Sequence, residues 1–175
     1  MTSSAVSLEV GEIVVYGPEG FARVDGCEER EILGKTVTVV DLFVMDSSMR
    51  VSVPLDRALE RGLRPVASVD AAEGALEALA SRFDTPIPWN RDGRLVKDRY
   101  AEGDLEAMVE VISTLVDVES TRRLNDGQRN LLDKARKAFS REMGAALSLD
   151  GPEIEARIDA AVAARREAMP APAES

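Results

Sequence analysis

The chain has no histidine and only one cysteine, and both features narrow the chemistry open to it. Without histidine, its 175 residues offer no imidazole for general-base catalysis or for the usual zinc ligand sets. Cys27 alone cannot form an internal disulfide, which fits a reducing compartment. No pair of carboxylates has a spacing typical of an acid and base couple, and no phosphate loop of the GxxxxGK[ST] type occurs. We therefore predict a protein that is not an enzyme and that uses no metal or cofactor.

Long apolar runs are also lacking. No stretch approaches the roughly 18 consecutive apolar residues of a membrane span. The N-terminus, MTSSAVSLEVGE, lacks the basic start and apolar core of a signal peptide. These features predict a soluble, cytoplasmic protein without a membrane partner, and we expect it to be a monomer.

Positive charge is scarce overall but is concentrated in one place. The net charge of -10 argues against nucleic-acid binding, because contacts to phosphate supply much of the affinity in such complexes. Residues 122–141, however, contain seven basic side chains against two acidic ones. A local basic patch on an acidic protein is therefore possible.

The first part of the chain has the pattern of short strands. Residues 10–66 are rich in valine, threonine, isoleucine and phenylalanine, and turn residues separate the segments EIVVYG, FARVDGCEER, KTVTVVDLFVM and MRVSVP. Several strands in so short a stretch predict a small antiparallel sheet or barrel. In MRVSVP, Arg50 and Ser52 alternate with apolar residues, whereas in TVTVVDLFV both faces are partly apolar. Periodicity alone therefore leaves open which face of that longer strand is buried.

The pattern becomes helical after Val69. We predict helix N-caps at Asp70, where Glu73 would complete a capping box, at Asp104, and at Asn125 or Asp126. A weaker helix is predicted from PEIEARIDAAVAARREAM, before a Pro/Ala tail. Lys134, Lys137 and Arg141 share one exposed strip of the predicted third helix, although their spacing alone favours an ordinary solvated face.

Five motifs occur together in one order along residues 9–146. They are VGEIVVYGPEGFARV, EEREILGK, RVSVPLDRALERGLRPV, PWNRDGR and LNDGQRNLLDKARKAFSREM. In the order of these motifs, and nearly in their spacing, the chain resembles the CarD/CdnL family of transcription regulators. The N-terminal half of that family is shared with the RNA-polymerase-interacting domain of transcription-repair coupling factor.

The resemblance implies an α+β architecture and a domain organisation. Residues 1–68 would form a Tudor-like (SH3-like) antiparallel β-domain that docks on the polymerase β subunit. Residues 69–166 would form a compact helical domain that touches promoter DNA, and residues 167–175 a flexible tail. Binding to DNA would be weak outside the polymerase complex, and the protein would be nucleoid-associated through the polymerase.

The resemblance also implies roles for individual residues. The docking residues would be Arg30, Leu42, Arg50, Ser52 and Pro54. The DNA-binding residues would be Trp89, Arg91, Arg94, Lys97, Lys134, Lys137 and Arg141. In proteins that look like this one, the tryptophan wedges into the minor groove at the upstream edge of the transcription bubble and slows its collapse, an apolar wedge at an unstacked step. From the sequence alone, Trp89 could equally plug the seam between helices.

Some positions depart from the family pattern. Asp92 and Gly93 follow Arg91, where the family usually has a second arginine and a tyrosine, and an aspartate beside phosphate is repulsive. Ser52 stands where a basic residue is usual, and Gly17-Pro18 replaces a single proline. An alternative function therefore stays open: an adaptor on the same scaffold that binds protein partners without productive contact to DNA.

Overall fold

The computed structural model describes residues 8–81 and 93–169, which form two compact units. The boundary between the two units falls between Val66 and Ala67. The first contains an antiparallel sheet and the second is helical, so the predicted α+β class is confirmed. Among the described helices, none has both the length and the apolar character needed to cross a membrane.

The first unit is built on one five-stranded antiparallel sheet with the strand order β4-β3-β2-β1-β5. Its strands are β1 (Ile13–Tyr16), β2 (Phe21–Ile32), β3 (Lys35–Val44), β4 (Met49–Pro54) and β5 (Leu63–Pro65). A short helix, α1 (Leu55–Glu60), connects β4 to β5; the strand pattern of the sequence did not indicate it.

Glycine shapes two of the connections in this sheet. Leu33 and Gly34 form a two-residue hairpin between β2 and β3, with φ of 51° and 76°, the backbone region favoured in tight hairpin turns. Gly17 opens a 3-10 turn after β1, and a Cβ atom there would lie only 2.2 Å from the main-chain oxygen of Arg61. Glycine is therefore required at position 17 in this turn, because no side chain fits there.

One face of the sheet forms the core of the unit. On β3, every second side chain from Val40 onward points into it, which settles the ambiguity left by the apolar pattern of this strand. The buried cluster consists of Val14, Tyr16, Ala22, Val24, Val40, Leu42, Val44, Ala58 and Leu63. Burial of this apolar surface is the main force that holds the small sheet together.

The second unit contains five helices within the described residues. They are α2 (Val69–Ala80), α3 (Arg94–Glu102), α4 (Leu105–Thr121), α5 (Asp126–Leu147) and α6 (Gly151–Ala168). Helix α4 is the most buried, because nine of its residues are shielded from solvent by the neighbouring helices. Apolar residues from all five helices form one continuous core.

Side-chain caps determine where four of these helices begin. Asp104 caps α4 as predicted, and of the two candidates for α5 the cap is Asn125, with which Gln128 completes a capping box. Asp150 and Glu153 form another box at α6. The predicted cap at Asp70 is wrong: Ser68 accepts a hydrogen bond from the Ala71 amide and starts α2 two residues earlier. Each such cap contributes about 1 kcal/mol.

Candidate functional site

Strand register brings the predicted docking residues of the first unit to one face of the sheet. Ser52 of β4 lies opposite Asp41 of β3, and Arg50 lies opposite Phe43. Arg30 of β2 pairs with Val37, which has the same parity along β3 as Asp41. Because side chains alternate along a strand, these residues point to the face opposite the core. We call this surface the sheet face; it comprises Arg23, Asp25, Glu28, Arg30, Asp41, Phe43, Arg50 and Ser52.

A β-bulge is needed to complete this surface. The pairing of β2 with β3 shifts by one residue between Val24 and Gly26, so Asp25 is an extra residue in β2. Arg23 and Arg30 have opposite parity along the chain and would point to opposite faces of a regular strand. The bulge reverses the alternation and places both arginines on the same face.

Asp41 organises one half of the sheet face. Its Oδ2 atom lies 3.0 Å from Nη2 of Arg30, and its Oδ1 atom accepts a short hydrogen bond from the Ser52 hydroxyl. Arg30 also donates from Nε to Glu28 at 2.6 Å. The hydrogen bond to Glu28 and the charge of Asp41 raise the pKa of Arg30. This carboxylate therefore links two predicted docking residues.

Arg23 and Arg50 share a partner in the other half. The Nε atom of Arg23 lies 2.8 Å from Asp25, and the Nε atom of Arg50 lies 3.8 Å from the second oxygen of that carboxylate. The guanidinium of Arg23 also lies over the Phe43 ring, 5.2 Å from its centroid, a cation–π arrangement. Arg50 remains 80% exposed and is the most accessible cation of the three.

Leu42 does not belong to this surface. It pairs with Val24 and Val51 in the row of side chains that points into the core, and it is only 1% exposed. Its predicted place in a polymerase interface is therefore wrong, because a neighbour of opposite parity along β3 cannot share a face with Asp41. Pro54 ends β4 opposite Val39 and is half-buried.

The second unit presents the predicted basic strip on α5. Lys134, Lys137 and Arg141 are exposed and lie opposite the buried side of the helix, which carries Ala135 and Phe139. Neither lysine has a carboxylate partner within the part of the chain that the structure describes. The two lysines are therefore accessible to an anionic ligand.

Arg136, from the same basic run, faces elsewhere. Its Nη2 atom lies 2.6 Å from Asp159 and 3.4 Å from Glu155, both on α6. This arginine joins α5 to α6 and is not available on the strip. A count of charges along the sequence therefore overstates the accessible basic surface.

The remaining predicted DNA-binding residues are near or beyond a gap in the described residues. Trp89 and Arg91 lie outside the described ranges. Arg94 begins α3 and is exposed, with Asp98 3.8 Å away, and Lys97 is exposed one turn further on. Cations on α3 therefore follow directly after the segment that contains the tryptophan.

The sequence did not indicate Asp25 and Asp41, the two acidic residues that pair with the arginines of the sheet face. The only signal for Asp41 was an acidic residue within an otherwise apolar run, and Asp25 had none, since a bulge is a property of strand pairing. Over residues 8–81 and 93–169, no group of three or more potential ligands could hold a metal ion. The polar groups of the sheet face are guanidinium, carboxylate and hydroxyl groups, and Phe43 adds an aromatic ring beside them.

Comparisons with known proteins point to one family for both units. A model described as "CarD-like/TRCF RID domain" matches residues 8–67, and one described as "CarD, C-terminal domain" matches residues 75–159. The chain is also 23% identical over 136 residues to a Bacillus subtilis (strain 168) protein described as "Putative transcription factor YdeB". That alignment covers 77% of this chain and 89% of the relative.

Proposed function

Since the chain belongs to the CarD family, whose role is transcription regulation, we propose that it docks on the RNA polymerase β subunit and stabilises the open promoter complex. The sheet face would bind the polymerase. Trp89 would act as a minor-groove wedge at the upstream edge of the bubble, supported by cations that contact phosphate. The observation that carries the proposal is the presence of Arg30, Arg50 and Ser52 on one exposed face of the unit that matches the polymerase-interacting domain.

The chemistry of the sheet face supports docking on a protein. Arginine is favoured at protein interfaces, since its planar fork makes directional pairs with carboxylates. Arg30 is held in place by Glu28 and Asp41, so little side-chain entropy is lost when a partner binds it. An acidic group of the polymerase would compete with Asp41 for this arginine and would need a matching geometry. We therefore expect docking that is specific and of moderate affinity.

The helical unit supports contact with DNA only in the polymerase complex. Phosphate contacts from Arg91, Arg94 and the α5 lysines would position the segment, and the indole would occupy an unstacked base step. Docking raises the effective concentration of this unit at the promoter, so weak intrinsic affinity is sufficient. A net charge of -10 is compatible with this arrangement.

Charge reversal at the sheet face tests the docking. We expect Arg30→Glu combined with Arg50→Glu to weaken capture of the β subunit at least about tenfold, since opposed like charges cost several kcal/mol. The matched control is Arg57→Glu on α1. This substitution reverses the charge of another exposed arginine of the same unit, which pairs with Glu60 three residues further along the same helix. Capture that is equally strong for both variants would show that docking uses another surface. Melting measured in parallel reports whether the unit stays folded.

Replacement of the tryptophan tests the wedge. Trp89→Ala should shorten the lifetime of open promoter complexes under competitor challenge, with little change in melting temperature. A buried plug would instead lose about 3 to 5 kcal/mol of stability, as large aromatic truncations do. Early melting with unchanged activity per folded molecule would contradict the wedge.

The adaptor remains a second candidate, and one observation favours it. Asp92 follows Arg91 directly, on an acidic protein, where a phosphate contact would need a cation. Asp92→Arg should lengthen the lifetime of open complexes if this segment meets DNA. If the protein is an adaptor, that substitution should leave the lifetime unchanged while capture of the β subunit persists.

A further inference from the structure

Phe43 lies between two arginines on the sheet face. Strand register pairs it with Arg23 of β2 on one side and with Arg50 of β4 on the other. We call these three residues the Phe43 row. Side chains paired in this way have Cβ atoms about 5 Å apart and contact one another. Phe43 is half-buried, so the row offers a partner an apolar surface with a cation on each side.

The two arginines of the Phe43 row are held with different strength. The Nε atom of Arg23 lies 2.8 Å from Asp25, and its guanidinium is stacked over the Phe43 ring. The Nε atom of Arg50 lies 3.8 Å from the same carboxylate, beyond the length of a hydrogen bond, and this side chain is 80% exposed. An exposed ion pair of that length contributes little to stability. Arg23 is therefore fixed beside the ring, whereas Arg50 can exchange its partner at low cost.

The ion pair between Arg50 and Asp25 crosses the strand that carries Phe43. Strand β3 lies between β2 and β4, and neighbouring strands are about 4.8 Å apart. To approach Asp25 on β2, the Arg50 side chain must therefore extend from β4 across β3. If Arg50 turned to a carboxylate of a partner, it would uncover this part of β3 in the same movement.

The charges around the row favour a protein partner over a nucleic acid. Asp25, Glu28 and Asp41 lie on the same face as the arginines and pair with them. These carboxylates would repel a phosphate backbone. A polypeptide, in contrast, can present one carboxylate beside an apolar side chain, and both arginine and aromatic residues are enriched at protein interfaces. The row therefore fits a segment of protein in which an acidic residue neighbours an apolar one.

We propose that Phe43 is an anchor for the polymerase β subunit, and that Arg50 exchanges Asp25 for a carboxylate of that subunit beside the anchor. This inference deepens the proposed function and rests on it for the identity of the partner. In the free protein, Asp25 competes with the partner for Arg50. Asp25 therefore lowers the affinity of the sheet face, although it also keeps Arg23 beside the ring.

Removal of the competing charge should give a gain of binding, which a purely structural role would not produce. Asp25→Asn keeps the size of the side chain and an acceptor for Arg23, but it removes the charge that attracts Arg50. In the full-length protein, this variant should capture the β subunit about threefold more tightly, as expected from the loss of an exposed ion pair. Unchanged or weaker capture by the folded variant would overturn the exchange.

The gain should depend on Arg50. In an Arg50→Met background, Asp25→Asn should leave capture unchanged, because a double-mutant cycle isolates the coupling between the two residues. Glu28→Gln is the matched control: it removes a carboxylate of the same face that pairs with Arg30, and it should show no coupling to Arg50. A gain from Asp25→Asn of the same size with and without Arg50 would reflect only the total charge and would contradict the proposal.

Truncation of the ring tests the anchor. Phe43→Ala should weaken capture of the β subunit about tenfold, since a few well-packed aromatic and arginine residues dominate most interfaces. Melting measured in parallel reports whether the unit stays folded. If the alanine variant melts far earlier than the wild type, Phe43→Thr replaces it, because threonine is favoured in strands. Capture at the wild-type level by either folded variant would show that Phe43 is not an anchor.

Arg30→Glu distinguishes failure of this inference from failure of the proposed function. If it weakens capture whereas Phe43→Ala and Asp25→Asn do not change it, the polymerase docks through the half of the sheet face around Asp41, and only this inference is overturned. If the wild type captures no β subunit, or if none of the variants alters capture, the docking itself is wrong and the inference fails with it. If Asp25→Asn strengthens binding to promoter DNA without polymerase, the row binds phosphate and the proposal is overturned.

Discussion

The two units use their cations in different ways. On the sheet face of the first unit, Arg23, Arg30 and Arg50 each have a carboxylate partner within 3.8 Å. On α5 of the second unit, Lys134 and Lys137 have none among the described residues. Paired arginines have a defined geometry, whereas exposed lysines are hydrated point charges on flexible stems. In the proposed function, the first surface would therefore select a partner by its geometry, and the lysines of the second would meet any nearby phosphate.

The largest expected effect on stability comes from a substitution on the buried face of β3. Leu42→Ala removes a buried side chain from the core and should lower the free energy of unfolding by about 2 to 5 kcal/mol. Thermal unfolding of the full-length protein measures this loss, with the first unit followed by the circular dichroism signal of its β-sheet. A loss of β-subunit capture without any loss of stability would return Leu42 to the interface and contradict its burial.

The accessible lysines should have an effect that depends strongly on salt. Lys134→Ala with Lys137→Ala should reduce the salt dependence of promoter binding by the polymerase complex. The expected change is about 2 in the slope of log K against log salt, because each phosphate contact contributes about 0.9. Arg136→Ala is the matched control, since it removes a cation from the same helix that faces α6. An unchanged slope would mean that the strip is only a solvated face.

An exposed ion pair in the second unit should have the smallest effect. Arg157 donates to both oxygens of Glu73, and this hydrogen bonding, with the charge of Arg157, lowers the pKa of Glu73. A carboxylate with a lowered pKa adds stability above its ordinary pKa, and that contribution is lost as pH falls through the lowered value. Glu73→Gln should therefore slightly reduce stability at neutral pH and flatten its decline below about pH 4. Melting curves between neutral and acidic pH measure this difference.

Much of the fold could be predicted because it follows from patterns of residues that lie close together in the sequence. The positions before apolar periodic runs predict Asp104 as one cap and either Asn125 or Asp126 as another, and in the structure Asp104 and Asn125 accept the amide hydrogen bonds. The cap of α2 was missed because Ser68 and Asp70 are both suitable cap residues, two positions apart. Glu73, which the sequence predicts as the capping-box partner of Asp70, instead pairs with Arg157, which is 84 residues away in sequence.

The sequence by itself determined the two kinds of unit, the starts of α4 and α5 and the alternation that places Arg50 and Ser52 on one side of β4. These features depend on residues only a few positions apart, so they are visible in the sequence pattern. Tertiary structure decided the inward side of β3, the bulge at Asp25 and the pairing of Arg136 with α6. Those features arise from register between strands and from contacts between distant helices, where the free energy depends on which groups meet after the chain has folded.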